Sequence, residues 1–383
     1  MTVNVLTNYT RAMAPAFSDL EKIQVGTLFL TLFASGATII DPDSAVVDID
    51  IERGNKHVSA YIARGTDAKN LSENRTLVGK YTSDSFEYPL IEELGVITSA
   101  MVLKRLPGES MRNPLTKMER QMAYAIKLHN EGLKKIIRKA EYSAAESFRT
   151  GAQTVHQSAA YSFHRRSTHN ASASVVWSTT ATAVPITDLE TACGLIYLDG
   201  LATPTDAIFS DQSWREFLAT TQVSNLADKR RINHFSTDMT AVAPAGYEAW
   251  IAAGALYQGQ VKAGNWVLNL WTYPAVWVTD AGVSTQYLPD EEVLVMAKSA
   301  RFDRYFGPSD NLETQSPNFY LENFGLGAID GMPMEIMNAG IFQSNMFYLD
   351  AFAQGNGKAL TVRTQCAPIF PTTQTDAIVK IAT

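Results

Sequence analysis

Two periods of apolar residues organise the chain. Val47, Ile49 and Ile51 alternate with Asp48, Asp50 and Glu52, a two-residue period that predicts a strand with one wet face. Asp41-Pro42-Asp43-Ser44 before it and Gly54-Asn55 after it are turn signals, and His57 to Ala63 is a second strand candidate. Residues 64–85 are polar and poor in apolar anchors, which marks a functional loop or an extended hairpin. Apolar character returns from Phe86 to Leu106.

The second period is helical. Leu115, Met118, Met122, Ala125, Leu128, Leu133, Ile136, Ile137, Ala140, Ala144 and Phe148 recur at spacings of three and four, one apolar stripe of a long helix. Met118, Met122, Leu133 and Ile136 are its expected core contacts. Asn113 is placed as an N-cap, Pro114 suits the first helical position and Gly151 suits the stop. From Pro114 to Thr150 such a helix reaches roughly 55 Å at 1.5 Å per residue. Gly132 weakens it by about 1 kcal/mol relative to Ala. Lysines and arginines outnumber Glu119, Glu131, Glu141 and Glu146, so the opposite face is basic.

Beyond the helix, residues 157–183 are rich in Ser, Thr and Ala. Thr187-Asp188-Leu189-Glu190 is a capping-box pattern before an apolar run to Leu198. Ala207-Ile208-Phe209 reads as a short buried strand and 211–220 as a helix around Trp214, Phe217 and Leu218. Strand-like runs follow at Trp266–Leu270, Ala275–Thr279 and Val293–Ala297. This alternation predicts a compact α/β sub-domain of roughly 170 to 180 residues. Ala359–Ile381 holds two more strand candidates around Pro368 and Pro371.

Composition sharpens this picture. A chain of 383 residues is beyond the size at which one core keeps growing. Its 46% apolar content is ordinary, but 19% charged residues fall below the average of about 25%. Much of its surface therefore meets something other than water, and partner subunits are the simplest candidate. A net charge of −7 excludes a basic nucleic-acid binder. Cys193 and Cys366 are too few for a disulfide framework or a cysteine-rich zinc site. Ile23–Ile40 carries no formal charge, yet Gln24, Thr27, Thr31, Ser35, Gly36 and Thr38 interrupt it, so it is not read as a membrane span. The N-terminus lacks the basic start of a secretory signal.

Catalytic and metal chemistry is not legible. Neither Gly-x-Ser-x-Gly nor His-Glu-x-x-His occurs. Gly325, Gly327 and Gly331 are spaced wrongly for a dinucleotide loop and read as turns. His164 and His169 are five apart with no completing ligand set. Arg165-Arg166 and Lys229-Arg230-Arg231 are too short for a nucleic-acid patch. No catalytic, cofactor-binding or metal residue is assigned.

The order of elements resembles a known family. Thr27-Leu28-Phe29-Leu30-Thr31-Leu32-Phe33 looks like its apolar segment before an extended loop, and Val102-Leu103-Lys104-Arg105-Leu106-Pro107-Gly108-Glu109 its approach to a spine helix. Glu190, the Ile208-Phe209 strand and Trp214 resemble the start of its axial domain. Tyr287-Leu288-Pro289-Asp290 with Val293–Ala297 resembles its late strand, and Cys366-Ala367-Pro368-Ile369 a Ser-Ala-Pro-Leu near its end. The family is the lambda-type tailed-phage major capsid (head) proteins, with the Hong Kong 97-like fold. The departure is at residues 308–350, which look longer than the family pattern.

The resemblance implies an α+β fold with an N-terminal arm at 1–44, an extended loop at 45–106 and a spine helix with peripheral domain at 107–185. An axial α/β domain at 186–360 and C-terminal strands at 361–383 returning to the peripheral domain complete it. It implies a virion subunit, made in the host cytoplasm, that forms hexamers and pentamers of an icosahedral head around double-stranded DNA held non-specifically. Implied partners are itself, a scaffolding protein, a portal and a decoration protein, with no cofactor and no membrane. Arg64, Lys69, Arg75 and Lys80 on the loop are the candidate inter-subunit contacts. Little chain precedes the arm, so a separate scaffold is expected rather than an N-terminal scaffolding domain. The competing readings are a cellular nanocompartment shell of encapsulin type, told apart by its cargo, and a soluble enzyme with an unrecognised site. Proline in a helix interior costs about 3 kcal/mol or more. Ile136→Pro is therefore expected to abolish soluble capsomers, and normal shells from that variant would show the long-helix assignment to be wrong.

Overall fold

The structure, a computed structural model, describes residues 26–41, 44–51, 82–106, 114–155, 159–228, 235–236, 243–279, 282–308, 347–353 and 359–383. They divide into two compact units. One gathers described residues of segments 1–46, 87–143 and 304–369; the other gathers those of 47–86, 144–303 and 370–383.

The long helix runs Lys117–Thr150, 34 residues, and the unit boundary falls within it after Ser143. It starts later than the Asn113-Pro114 signal suggests, because Thr116 and Glu119 form a reciprocal capping box. The Thr116 N–H donates to Glu119 Oε2 at 2.6 Å and the Glu119 N–H donates to Thr116 Oγ1 at 3.3 Å. Met118 consequently sits in the first turn, ahead of the buried face, and is 63% exposed instead of joining the core. Leu133 and Ile136 are 6% and 0% exposed. Met122 lies on the helix, but its side chain is outside the described residues.

In the first unit this helix packs on a three-stranded antiparallel sheet of Tyr348–Ala353, Ala359–Cys366 and Ile91–Thr98. Two glycines set the approach. A Cβ on Gly95 would lie 3.0 Å from Leu128 Cδ1, and one on Gly132 would lie 3.0 Å from Thr364 Oγ1. The glycine that weakens the helix thus lets the strand come close. Ile97 and Val362 form the buried contact, flanked by Tyr124, Leu128 and Leu360. A second small sheet pairs Thr38–Ile40 in parallel with Arg304–Phe306, which pairs antiparallel with Pro368–Ile369.

The same unit holds the short helix Leu28–Ala34, whose Leu28, Phe29, Leu30, Leu32 and Phe33 are all buried. Seven residues cannot sustain a helix alone, and Thr27 gives it no side-chain cap. Glu141 of the long helix does so instead. Its fully buried carboxylate accepts the Phe29 and Leu30 N–H groups, both at 2.9 Å.

The second unit is built on a seven-stranded mixed sheet. Its order is Asn170–Ser172, Ile378–Ala382, Glu292–Met296, Asp206–Phe209, Trp266–Thr272, Leu256–Ala263, Phe235–Ser236. Asp206–Phe209 is buried at every position and pairs in parallel with Trp266–Thr272. The helix Asp211–Ala219 starts from Ser210, whose side chain accepts the Ser213 N–H. Phe209 packs on Trp177, Trp214 and Phe217, and Trp177 on Phe217, in tilted or edge-on pairs with ring centroids 5.2 to 6.2 Å apart, forming the aromatic core.

Several expected boundaries move. The final strand Ile378–Ala382 pairs with Glu292–Met296 in this sheet, and residues 370–383 cluster in the second unit while Ala359–Cys366 clusters in the first. The described residues 304–308, 347–353 and 359–369 cluster in the first unit. The helix predicted from Thr187 begins at Pro185, where proline's missing N–H is harmless. Asp188 is then free to accept the Trp177 Nε1–H at 2.9 Å and the Ser174 N–H at 3.1 Å. Residues 82–85 of the expected loop belong to the strand Thr82–Glu87.

Gly151 ends the long helix at φ +71°, and a Cβ there would stand 2.5 Å from Arg165 Cβ. Gly194, in the helix Pro185–Leu195, has nothing within 4 Å of its would-be Cβ. Gly151→Ala should therefore destabilise the protein by more than about 1 kcal/mol, whereas Gly194→Ala should be neutral or stabilise it by up to about 1 kcal/mol. Thermal melts of the two variants check this; equal shifts would contradict the assigned geometry.

Candidate functional site

Among the described residues no group of three His, Cys, Asp or Glu gathers to hold a metal ion. No helix among them is long and apolar enough to cross a membrane. Buried polar side chains instead tie structure together. Asp206, fully buried, accepts Tyr247 Oη at 2.9 Å, Trp271 Nε1 at 3.0 Å, Asn269 Nδ2 at 3.2 Å and Thr205 Oγ1 at 2.6 Å. Burial, and then the Asp206 charge and hydrogen bond, push the Tyr247 phenol above its ordinary value, so it stays a donor. Arg149 grips Glu292 through Nε at 2.5 Å and Nη2 at 3.0 Å, a bidentate pair that fixes the last turn of the long helix to the sheet.

The arginine pair flagged in the sequence has a structural role. Arg165 donates to the Phe148 carbonyl at 2.7 Å and the Ser147 carbonyl at 3.3 Å, satisfying the end of the long helix. Burial pulls its guanidinium down to about 9, opposed by the Asp376 charge. Arg166 reaches Asp199 and Asp376, each at 3.2 Å. His169, fully buried, bonds the Ile378 carbonyl through Nδ1 at 2.9 Å. His164 pairs with Asp84, five residues away from His169 and on a different partner.

What remains is surface and its anchorage. The strands Val46–Ile51 and Thr82–Glu87 pair as a two-stranded ribbon, and 52–81 between them lie outside the described residues. Arg64, Lys69, Arg75 and Lys80 are among these. The base of the ribbon is firmly held: Ile49 and Ile51 are fully buried, and Phe86 packs on Tyr161 and Phe163 at 5.1 and 5.7 Å. Elsewhere in the second unit, Val276, Val278 and Val283 expose apolar side chains around the hairpin Val276–Val278/Ser284–Gln286. Tyr197, Leu198 and Leu201 expose another group. Leu201 is 56% exposed at φ +51°, a conformation costing about 1–3 kcal/mol for a residue with a side chain.

Sequence reasoning missed Glu141 and Asp206. Glu141 was counted with the charged face, yet its position four after Ile137 and three before Ala144 puts it on the apolar stripe. Asp206 directly precedes the Ala207-Ile208-Phe209 run, and no sequence pattern marks it as buried.

The sequence matches the family described as phage major capsid protein E over residues 10–383. Among solved structures, the chain superposes on one described as the capsid protein of a prophage of E. coli CFT073. The TM-score is 0.59 at 14% identity, covering 100% of this chain and 99% of that one. An encapsulin complex from Synechococcus elongatus PCC 7942 gives a TM-score of 0.44 at 8% identity, covering 95% of this chain and 90% of that one. A virus-like particle from Pyrococcus furiosus gives 0.43 at 9% identity, covering 97% and 99%. No curated protein sequence matches.

Both thiols are fully buried. Burial, aided by Glu190, pushes Cys193 up to about 12, and burial pushes Cys366 up as well. The thiolate is the reactive form. A chromogenic disulfide reagent at mildly alkaline pH should therefore label neither cysteine in the native chain and both after guanidinium unfolding. Rapid native labelling of either would contradict this packing.

Proposed function

The chain belongs to the phage major capsid protein E family, and from that premise we propose that it packs as hexamers and pentamers into an icosahedral head enclosing double-stranded DNA. It is a structural shell subunit of a virion capsid, assembled from many copies of itself, and not an enzyme. Its mixed helix-and-sheet fold is that of capsid proteins. The observation that carries the reading is the family match from residue 10 to the last residue.

Closed rings of one chain need head-to-tail contacts. In the proposed shell the extended loop within 45–106 lies across an adjacent copy, where Arg64, Lys69, Arg75 and Lys80 meet acidic groups. Each exposed pair contributes only about 0–1 kcal/mol, so stability comes from repetition by symmetry. The anchored base of the ribbon supports this role, because a contact arm transmits load only if its root is held. The exposed valines of the hairpin Val276–Val278/Ser284–Gln286 offer apolar surface to neighbours in the same shell. A scaffolding protein, a portal and a decoration protein are the further proposed partners, and synthesis takes place in the host cytoplasm.

Negative-stain microscopy of the protein co-produced with a scaffold tests the reading. Hollow angular shells or capsomer rings are expected; a strictly monomeric protein over a wide concentration range would sink it. Replacing 64–81 with a short Gly-Ser linker, which spares the strand Thr82–Glu87, should leave a folded, soluble subunit that cannot close shells. Normal shells from that variant would remove the loop from the account.

A further inference from the structure

We infer that the exposed basic face of the long helix is a duplex-DNA contact surface, turned toward the packaged genome. This rests on the proposed DNA-enclosing shell and adds to it a specific lining. From Lys117 to Lys139 the helix carries seven Lys and Arg against two Glu, within a chain whose net charge is −7. At about 100° per residue the seven cations fall within an arc of roughly 140°, opposite Leu133, Ile136 and Ala140. Lys117, Lys127, Lys135 and Lys139 are exposed, and Lys134 and Arg138 half-buried. At 1.5 Å per residue the stripe extends roughly 35 Å, about one turn of B-form DNA.

A merely solvated helix face would be expected to mix signs, since opposite charges three or four apart support a helix and like charges oppose it. Here Lys134–Arg138 and Lys135–Lys139 are like-charge pairs at that spacing. Exposed Glu131 lies within this face, four residues from Lys127 and Lys135 and three from Lys134, and the other acids near the face are engaged elsewhere. Lys135 reaches Glu93 at 2.9 Å across an exposed surface, Glu119 is engaged in the capping box, and Glu141 is buried under the short helix. Lys139 is exposed, with its Nζ 4.8 Å from the Tyr142 ring centroid. The excess of cations over acids on this face, seven against two between Lys117 and Lys139, is accounted for by a polyanion, whose condensed counterions are released on contact. The acidic remainder of the chain keeps such binding weak and non-specific, as suits DNA that must enter and leave.

The test uses the full chain held below its assembly concentration and a duplex of roughly 30 base pairs, longer than the stripe. Anisotropy measured against salt should show binding at low salt. Lys117→Gln/Lys127→Gln/Lys139→Gln should flatten the log–log salt slope by about 2.7, at roughly 0.9 per lost phosphate contact. The charge-matched control Lys104→Gln/Arg215→Gln/Lys262→Gln should leave the slope unchanged. Absence of wild-type binding, or equal flattening in both triple variants, overturns the inference. So does displacement of the duplex by polyglutamate at equal charge, which would assign the face to an acidic protein. Microscopy of the helix variant keeps the two readings apart: shells that form with an unaltered slope overturn only the DNA surface, whereas absence of shells from the wild type overturns the capsid reading itself.

Discussion

A buried carboxylate holds the first described segment of the chain in place. Glu141 is fully buried, and burying an ion costs several kcal/mol unless hydrogen bonds replace its hydration. The replacement is specific: the second and third N–H groups of the helix Leu28–Ala34, which no residue of that helix can satisfy. The helix dipole adds to the attraction. Neither partner is stable without the other, since a seven-residue helix does not persist alone. Once docked, its five buried apolar side chains contribute roughly 1.5–3 kcal/mol each. The chain can then lead directly into Thr38–Ile40, which seeds the small sheet with Arg304–Phe306 and Pro368–Ile369.

The second unit uses the same device. Asp206 sits at the start of the buried strand Asp206–Phe209 and collects four side-chain donors from neighbouring residues of the lobe. A pair of apolar residues could supply equal burial but not direction. A carboxylate whose every bond must be made admits one register of Trp266–Thr272 and one placement of Tyr247. A shell subunit repeated by symmetry needs that uniqueness, because an error in one copy is propagated to its neighbours.

Periodicity made much of this legible. The long helix, apart from its first turn, the strand at Val47–Ile51, the buried strand at 207–209 and the Trp214 helix follow from apolar spacing. The order of elements along the sequence resembles the capsid family. What stayed hidden depends on contacts distant in sequence. Glu141 looks like one more surface acid until the Phe29 and Leu30 amides arrive, 112 and 111 residues away. Gly132 looks like a defect until Thr364 is seen against it. The destination of the last strand could not be read, because Ile378–Ala382 has the same pattern whichever sheet it joins. Met118 shows the opposite failure: a stripe continues in sequence past the point where the helix face is covered. The basic stripe was visible as composition, and the exposure of Lys117, Lys127, Lys135 and Lys139 shows that it is a surface.

Hydrogen exchange on the Phe29 and Leu30 amides tests this organisation most directly, measured in the wild type and in Glu141→Ala. The carboxylate cap predicts slow exchange of both amides in the wild type and rapid exchange throughout Leu28–Ala34 in the variant, while Leu256–Thr272 keeps its protection. Unchanged protection of Phe29 and Leu30 without the carboxylate would contradict it, and would mean that apolar burial alone holds the segment.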